Sequence, residues 1–331
     1  MALPGRAIAT AVTLCVLLAT PGLGAPADGP DDRNLVIEVG AWWLAPRNAD
    51  IDYAFAGVGS LASGGEVRTL GHDRVAVPVL YAGWNLSTSR PTRLGMRFWE
   101  YDDRSEAATG VEPQEIGPLL ASPTLLASFN FFGFLTADSA TADSRLRATL
   151  VEGGAQWRHD LSDRGTLRFD AGVRLFRFRR AAQILYREEE SQIKELFINQ
   201  STESRGIGPR AAVAYAHRFG RAEVGALFGL ALMTGELEAS SREEFIVDGS
   251  LDIATAVNQP GSTQAFLQLD GELRCTIALG RGWSVAAAYA FQQWSDVERS
   301  YRFVAAGTAT AVPIDGDAVF EGLSLAIRGE F

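Results

Sequence analysis

Thr166 to Arg180 reads TLRFDAGVRLFRFRR, and its residues alternate strictly. Leu167, Phe169, Ala171, Val173 and Leu175 take one face; Arg168, Asp170, Gly172, Arg174 and Phe176 take the other. A period of two is that of a β-strand whose faces meet different surroundings. Gln264 to Leu279 repeats the pattern. Ala265, Leu267, Leu269, Gly271, Leu273, Cys275, Ile277 and Leu279 oppose Gln264, Gln268, Asp270, Glu272, Arg274 and Thr276. In hydrocarbon every backbone N–H and C=O must be paired within the protein, and a closed barrel does this without an edge. Its outward row must then be apolar, whereas a wet lumen tolerates Arg, Asp and Glu. An arginine facing mid-bilayer lipid costs about 2–4 kcal/mol. The six clearest apolar rows, all from residue 166 onward, carry no charge across their centres.

A soluble sandwich can alternate too, so the connections decide between them. Ten segments are drawn: 34–44, 75–86, 92–101, 144–159, 166–180, 204–219, 222–234, 264–279, 282–294 and 318–331. Short links (87–91, 160–165, Gly220-Arg221 and Gly280-Arg281) alternate with long ones (45–74, 102–143, 181–203, 235–263 and 295–317). The spacing predicts an all-β fold: a transmembrane up-and-down antiparallel β-barrel of about ten strands, within a range of eight to twelve. Short periplasmic turns and long extracellular loops follow from the same sorting. Ile116 to Ala137 is uncharged over 22 residues and could be scored as a membrane helix. Pro118, Pro123, Asn130 and Gly133 argue instead for an outer loop or an extra strand pair.

At the amino terminus one charge, Arg6, precedes the apolar run Ala7 to Thr20 and the small residues around Gly24-Ala25. That order predicts a secretory signal peptide over 1–25, a short periplasmic segment over 26–33 and an outer-membrane barrel over 34–331. Cleavage removes Cys15 and leaves Cys275 alone, so no disulfide framework and no cysteine-based metal site can form. No metal or other cofactor is expected. The chain of 331 residues has a formal net charge of −10 and a single lysine, Lys194, so nucleic acid is a poor partner.

The carboxyl terminus alternates down to Phe331. A terminal aromatic on an amphipathic strand resembles the signal read by the barrel-assembly machinery. Trp43, Trp84, Trp157, Tyr215, Trp283 and Tyr289 lie on apolar rows, as interfacial aromatic girdles require. Several stretches resemble the pore-forming outer-membrane family typified by the Legionella major outer membrane protein. They are Val39 to Arg47 with Asp52-Tyr53-Ala54, Leu167 to Arg174, and Gly206-Ile207-Gly208-Pro209-Arg210. The resemblance implies a porin-like role.

Parity turns eleven charges inward: Glu38, Arg93, Arg97, Glu152, Arg168, Asp170, Arg174, Arg210, Asp270, Glu272 and Arg274. They either line a water path or pair into a polar plug, since narrow barrels are filled by their own side chains. Arg145, Arg147, Arg177, Arg179 and Arg205 share lipid-facing parity at the outer ends of three neighbouring strands. As bidentate donors they are candidates to hold lipopolysaccharide phosphates. No enzyme is expected. Omptin proteases carry acidic pairs and a His at the outer rim, which directs attention to Asp50, Asp52, His72 and Asp73, but there is no Asp-x-His pair. The first expectation is a porin-like barrel passing small hydrophilic solutes or ions. The alternative is a non-conducting structural or surface-binding barrel with ligand-binding extracellular loops, and an omptin-like outer-rim protease ranks third.

Overall fold

The computed structural model describes residues 35–47, 50–57, 66–86, 92–110, 115–118, 137–188, 193–303 and 311–331. The expected signal peptide, the segment 26–33 and most of the apolar stretch 116–137 lie outside these residues. Thirteen strands are present: β1 (Leu35–Arg47), β2 (Ile51–Gly57), β3 (Glu66–Leu70), β4 (Val75–Asn85), β5 (Thr92–Gly110), β6 (Glu115–Pro118), β7 (Ser139–Asp160), β8 (Gly165–Glu188), β9 (Lys194–Phe219), β10 (Ala222–Val247), β11 (Ser250–Gly280), β12 (Trp283–Phe303) and β13 (Ala311–Glu330). Ten of them close a barrel in the order β1-β13-β12-β11-β10-β9-β8-β7-β5-β4. Each of the ten segments drawn from alternation matches one barrel strand, overshooting it by at most one residue.

The barrel closes antiparallel between the first and last strands, with Val36 opposite Glu330 and Arg47 opposite Val319. Phe331 completes this seam by exchanging backbone hydrogen bonds with Leu35 (2.8 and 3.1 Å). Its ring stands edge-on to Trp283 at 5.5 Å. The outward rows expose Leu94, Met96, Val173, Leu175, Ile207, Phe228, Leu232, Leu273, Leu323 and their neighbours. All six girdle aromatics are exposed on this surface, with Trp84, Trp157, Tyr215 and Trp283 at the short-turn end and Trp43 toward the other. A hydrocarbon solvent accounts for so many exposed large apolar side chains on a closed sheet.

Two corrections concern the long connections. Segments 181–203 and 235–263 are mostly strand: β8 runs on to Glu188, β9 starts at Lys194, and β10 and β11 meet at a tight turn. That turn is Asp248-Gly249, both residues at positive φ (47° and 78°), the pairing a two-residue type I′ hairpin needs. Beyond the bilayer a strand no longer needs an apolar row, so charged cross-strand pairs take over and the hydrophobic signal fades. The second correction concerns 45–74 and 102–143. They contribute β2, β3 and β6, a separate three-stranded sheet in the order β3-β2-β6. Ile116 to Pro118 of the apolar stretch belong to β6, so this portion adds no strand to the barrel.

One seam parts. Pairing of β11 with β12 ends at Gln268 opposite Trp294, although both strands continue outward. Asp296 takes a left-handed conformation (φ 58°), and beyond it β12 stays paired with β13 while leaning toward β9. There Thr202 Oγ1 donates to the Arg299 carbonyl (2.6 Å) and Ser204 Oγ to that of Val297.

Elsewhere the wall is unusually close. Gly154 and Gly172 face each other across β7 and β8. A Cβ on either would lie 2.6 Å from the other's Cα. Gly154→Val therefore forces these strands apart beside Glu152, an overpacking worth about 1–3 kcal/mol. We expect a lower midpoint in urea unfolding of the detergent-refolded variant; an unchanged midpoint would refute the contact.

Candidate functional site

Strand β8 displays the interior in order, because every second residue points into the lumen. From the short-turn end these are Arg168, Asp170, Gly172, Arg174, Phe176, Phe178, Arg180, Ala182, Ile184 and Tyr186. The lumen follows that sequence as layers: a polar chamber, a charged layer, an aromatic layer, a second polar layer and a second apolar cluster.

The chamber has a volume of about 1060 Å³ and opens at the short-turn end, where Gly220, Arg221, Gly280 and Gly282 border it. Glu38, Arg93, Arg97, Arg168, Glu272 and Arg274 line it. Most are paired: Arg274 holds Glu38 through two bonds (2.6 and 3.0 Å), Arg168 holds Asp170 (2.9 Å) and Arg93 reaches Glu330 (3.8 Å).

Above the chamber sits the charged layer. Arg174 comes from β8, Arg210 from β9, Glu152 from β7 and Asp270 from β11. Arg174 binds both carboxylates at 2.6 Å, and Arg210 lies 3.0 Å from Asp270 and 3.2 Å from Glu152. Arg97 approaches Glu152 at 3.8 Å. Arg174 is only 1 % exposed, so its guanidinium is fixed by carboxylates rather than by water: Asp270 accepts from it bidentately and Glu152 takes two of its N–H groups on one oxygen. All eleven charges assigned inward thus lie inside, and they form a paired network.

The next layer is apolar. Trp99 (β5), Phe176 (β8), Phe266 (β11), Trp294 (β12) and Phe320 (β13) are buried and meet across the lumen. Ring centroids are 5.6 Å apart for Trp99–Trp294, 5.5 Å for Phe176–Trp294, 5.1 Å for Phe176–Phe266 and 5.3 Å for Trp294–Phe320. These separations suit tilted and edge-on aromatic contact. The rings reach from one wall to the other across the lumen.

Beyond the aromatics lies a cluster that local sequence gave no hint of. His72, just before β4, sits between Asp103 of β5 and Ser144 of β7. Its Nδ1 is 3.0 Å from Asp103 Oδ2 and its Nε2 is 3.1 Å from Ser144 Oγ. The order carboxylate–imidazole–hydroxyl is that of an activated serine. Ser144 is fully buried, however, and Asp103 also accepts from the Asp73 backbone N–H (3.2 Å) while Tyr101 donates to the Asp73 carbonyl (2.9 Å). These bonds pin the 71–74 connection inside the barrel mouth. Of the acidic residues singled out with His72, Asp50 acts on the imidazole through its charge, Asp52 accepts from Thr69 (2.7 Å) and Asp73 takes part through its backbone.

Burial holds the His72 imidazole below its ordinary pKa of 6.5; the bond to Asp103 and the nearby Asp50 pull it up, and Arg180 pushes it further down. Because the folded pKa is depressed, the unfolded chain takes up the proton first as pH falls. The neutral imidazole's contribution is complete above about pH 6.5 and is lost progressively below it. We expect the unfolding midpoint to drop more between about pH 7.5 and pH 5 for the wild type than for His72→Gln. Parallel curves would exclude this role.

On the outer surface the five rim arginines are brought together on adjacent strands: Arg145 and Arg147 on β7, Arg177 and Arg179 on β8, and Arg205 on β9. Each meets a carboxylate. Arg145 grips Asp102 through two bonds (2.9 and 2.8 Å), Arg177 holds Glu203 (2.7 Å) and Arg205 holds Glu236 (2.6 Å). Arg147 also bonds Asp102, and Arg179 shares Glu203 at 4.0 Å. Hydrogen bonds from Arg145 and Arg147 hold the Asp102 carboxyl below its ordinary range.

No family model and no curated protein matches this chain. Among solved structures it is similar to the outer membrane protease OmpT from Escherichia coli, at 11% identity and a TM-score of 0.44, over 93% of this chain and 99% of that one. The Ralstonia pickettii toluene transporter TbuX matches at 10% identity and a TM-score of 0.36, over 91% and 90%. Neisserial surface protein A matches at 10% identity and a TM-score of 0.26, over 90% and 97%. The fold rests on this chain's own geometry: a closed ring of ten antiparallel strands with an apolar outer face is that of a transmembrane β-barrel.

Proposed function

We propose that this protein is an outer-membrane barrel that is closed at rest, spanning the bilayer as a structural and surface-presenting element rather than as a standing pore. One observation carries this reading: the buried rings of Trp99, Phe176, Phe266, Trp294 and Phe320 touch across the lumen. The amino-terminal leader is the route of export, and Phe331, seated on the closing seam, is the handle for the barrel-assembly machinery. Planar-bilayer recording of the refolded full chain tests the proposal. Closure predicts no unitary steps above background, and regular steps would overturn it in favour of the second reading.

That second reading is porin-like diffusion of small hydrophilic solutes, favoured by the chamber of about 1060 Å³ with its charged walls. It requires the aromatic layer to move aside. For the His72 cluster, a fluorophosphonate probe separates a latch from a nucleophile. A latch leaves Ser144 unlabelled in the folded protein, whereas labelling abolished by both Ser144→Ala and His72→Gln would make the barrel a hydrolase.

A further inference from the structure

The charged rim contains a contradiction. Directly opposed like charges destabilise a sheet, yet along the rim arginine faces arginine at three places in the strand register: Arg104 opposite Arg145, Arg147 opposite Arg179, and Arg177 opposite Arg205. Carboxylates were within easy reach of those positions, since Glu203 and Glu236 occupy the neighbouring ones. The outward opposed pairs are confined to β5 to β9, although single outward arginines, Arg47 on β1 and Arg242 on β10, also stand at the rim. The only arginines of β11 and β13, Arg274 and Arg328, line the chamber instead. Directly toward the short-turn end from the rim, on the same outward face, come Val173, Leu175 and Ile207, all exposed.

We propose that the outer rim of β5 to β9 binds the phosphate groups of lipopolysaccharide in the outer leaflet. The inference rests on the outer-membrane reading above. A molecule that suits this surface carries several anionic groups over acyl chains, and it must present its charges at the level where the apolar band ends. With neighbouring strands about 4.8 Å apart and about 3.3 Å per residue along them, Arg147 on β7 stands roughly 12 Å and Arg145 roughly 16 Å from Arg205 on β9, a span that can serve two phosphates at once. Guanidinium forks match phosphate oxygens in pairs, which an ammonium does not. In the free protein Asp102, Glu203 and Glu236 hold the forks, as stand-ins that a doubly charged phosphate displaces. They keep the opposed arginines tolerable until the lipid arrives.

The test uses the full chain refolded in dodecylphosphocholine micelles, incubated with bisphosphorylated lipid A and gel-filtered, with bound lipid A counted by mass spectrometry. Arg145→Gln, Arg147→Gln, Arg177→Gln, Arg179→Gln and Arg205→Gln combined should lower retention by about tenfold or more. Fully dephosphorylated lipid A should be retained as poorly by the wild type. Glu203→Gln with Glu236→Gln, which frees the forks, should raise retention, an outcome that mere solvation of the rim does not produce. Arg177→Gln with Arg205→Gln is the smaller variant should the fivefold one fail to fold, and the heat-dependent mobility shift in detergent gels reports folding of each. Equal retention by wild type and by a folded arginine variant overturns the proposal, as does equal retention of the dephosphorylated lipid. In either case a barrel that still shows the mobility shift leaves the membrane reading standing.

Discussion

Trp99→Ala, Phe176→Ala and Trp294→Ala, combined, should turn a silent protein into a conducting one. These rings come from β5, β8 and β12, and Trp294 lies within 5.6 Å of both others. Truncating them removes the contact by which opposite walls meet, while the wall hydrogen bonds stay intact. Water then extends from the chamber through the charged layer. The cost is real: each large aromatic truncation in a packed interior loses about 3–5 kcal/mol. Closed ladders on every spanning strand should still hold the barrel together, which the heat-dependent mobility shift will show. The expected record is one of discrete steps in planar bilayers for the variant and a flat baseline for the wild type. A folded variant that stays silent would place the seal somewhere other than these rings.

Loss of Arg174 should produce the largest fall in stability of any single charged lumen residue. Its guanidinium joins Glu152 and Asp270 at 2.6 Å while almost wholly shielded from water. Arg174→Met leaves two buried carboxylates to share Arg210, with Arg97 farther off. Removing one partner of a buried ion pair costs about 3–5 kcal/mol, chiefly through the stranded charge. Adding Glu152→Gln and Asp270→Asn to Arg174→Met neutralises what was stranded and should recover most of the loss. Urea titration of the three proteins in detergent measures it. If the triple variant were no more stable than Arg174→Met, charge burial would not be the cause.

The spanning part of this fold is legible from residue order because lipid imposes a rule on every second residue. Gly220-Arg221 and Gly280-Arg281 mark turns, and the eleven inward charges follow from parity alone. Outside the bilayer that rule lapses. The strand halves 181–188, 194–203 and 235–247 carry charge on both faces, and 250–263 mixes one charge, Asp252, with Ser, Thr, Asn, Gln, Pro and Gly, so nothing separates them from loops by hydropathy. One signal was present all the same: Asp248-Gly249 is the dipeptide of a tight hairpin and stands inside the stretch read as a long loop. The aromatic layer was also visible in part, since Phe176 and Phe178 share a face with Arg174, an odd place for rings in a water-filled channel. That Phe176 meets Phe266 and Trp294 depends on barrel radius and stagger, which no local pattern encodes. His72, Asp103 and Ser144 come from three separate stretches and become neighbours only on closure. The inward placement of the charges follows from parity, and their pairing into a plug is one of the two readings it leaves open; which carboxylate each arginine holds is not encoded locally.

Strand length around the ring is uneven: 13 residues in β1 and 11 in β4, against 26 in β9, 26 in β10 and 31 in β11. With all strands starting near one membrane face, and about 3.3 Å gained per residue along a tilted path, the mouth is cut on a slant. Its high side rises on the order of 40 Å above its low side. An antibody or phage tail approaching a cell would touch the crest at Asp248-Gly249 long before anything at the lipid surface. A short epitope inserted between those two residues would be displayed like a pennant, clear of the surrounding sugar coat.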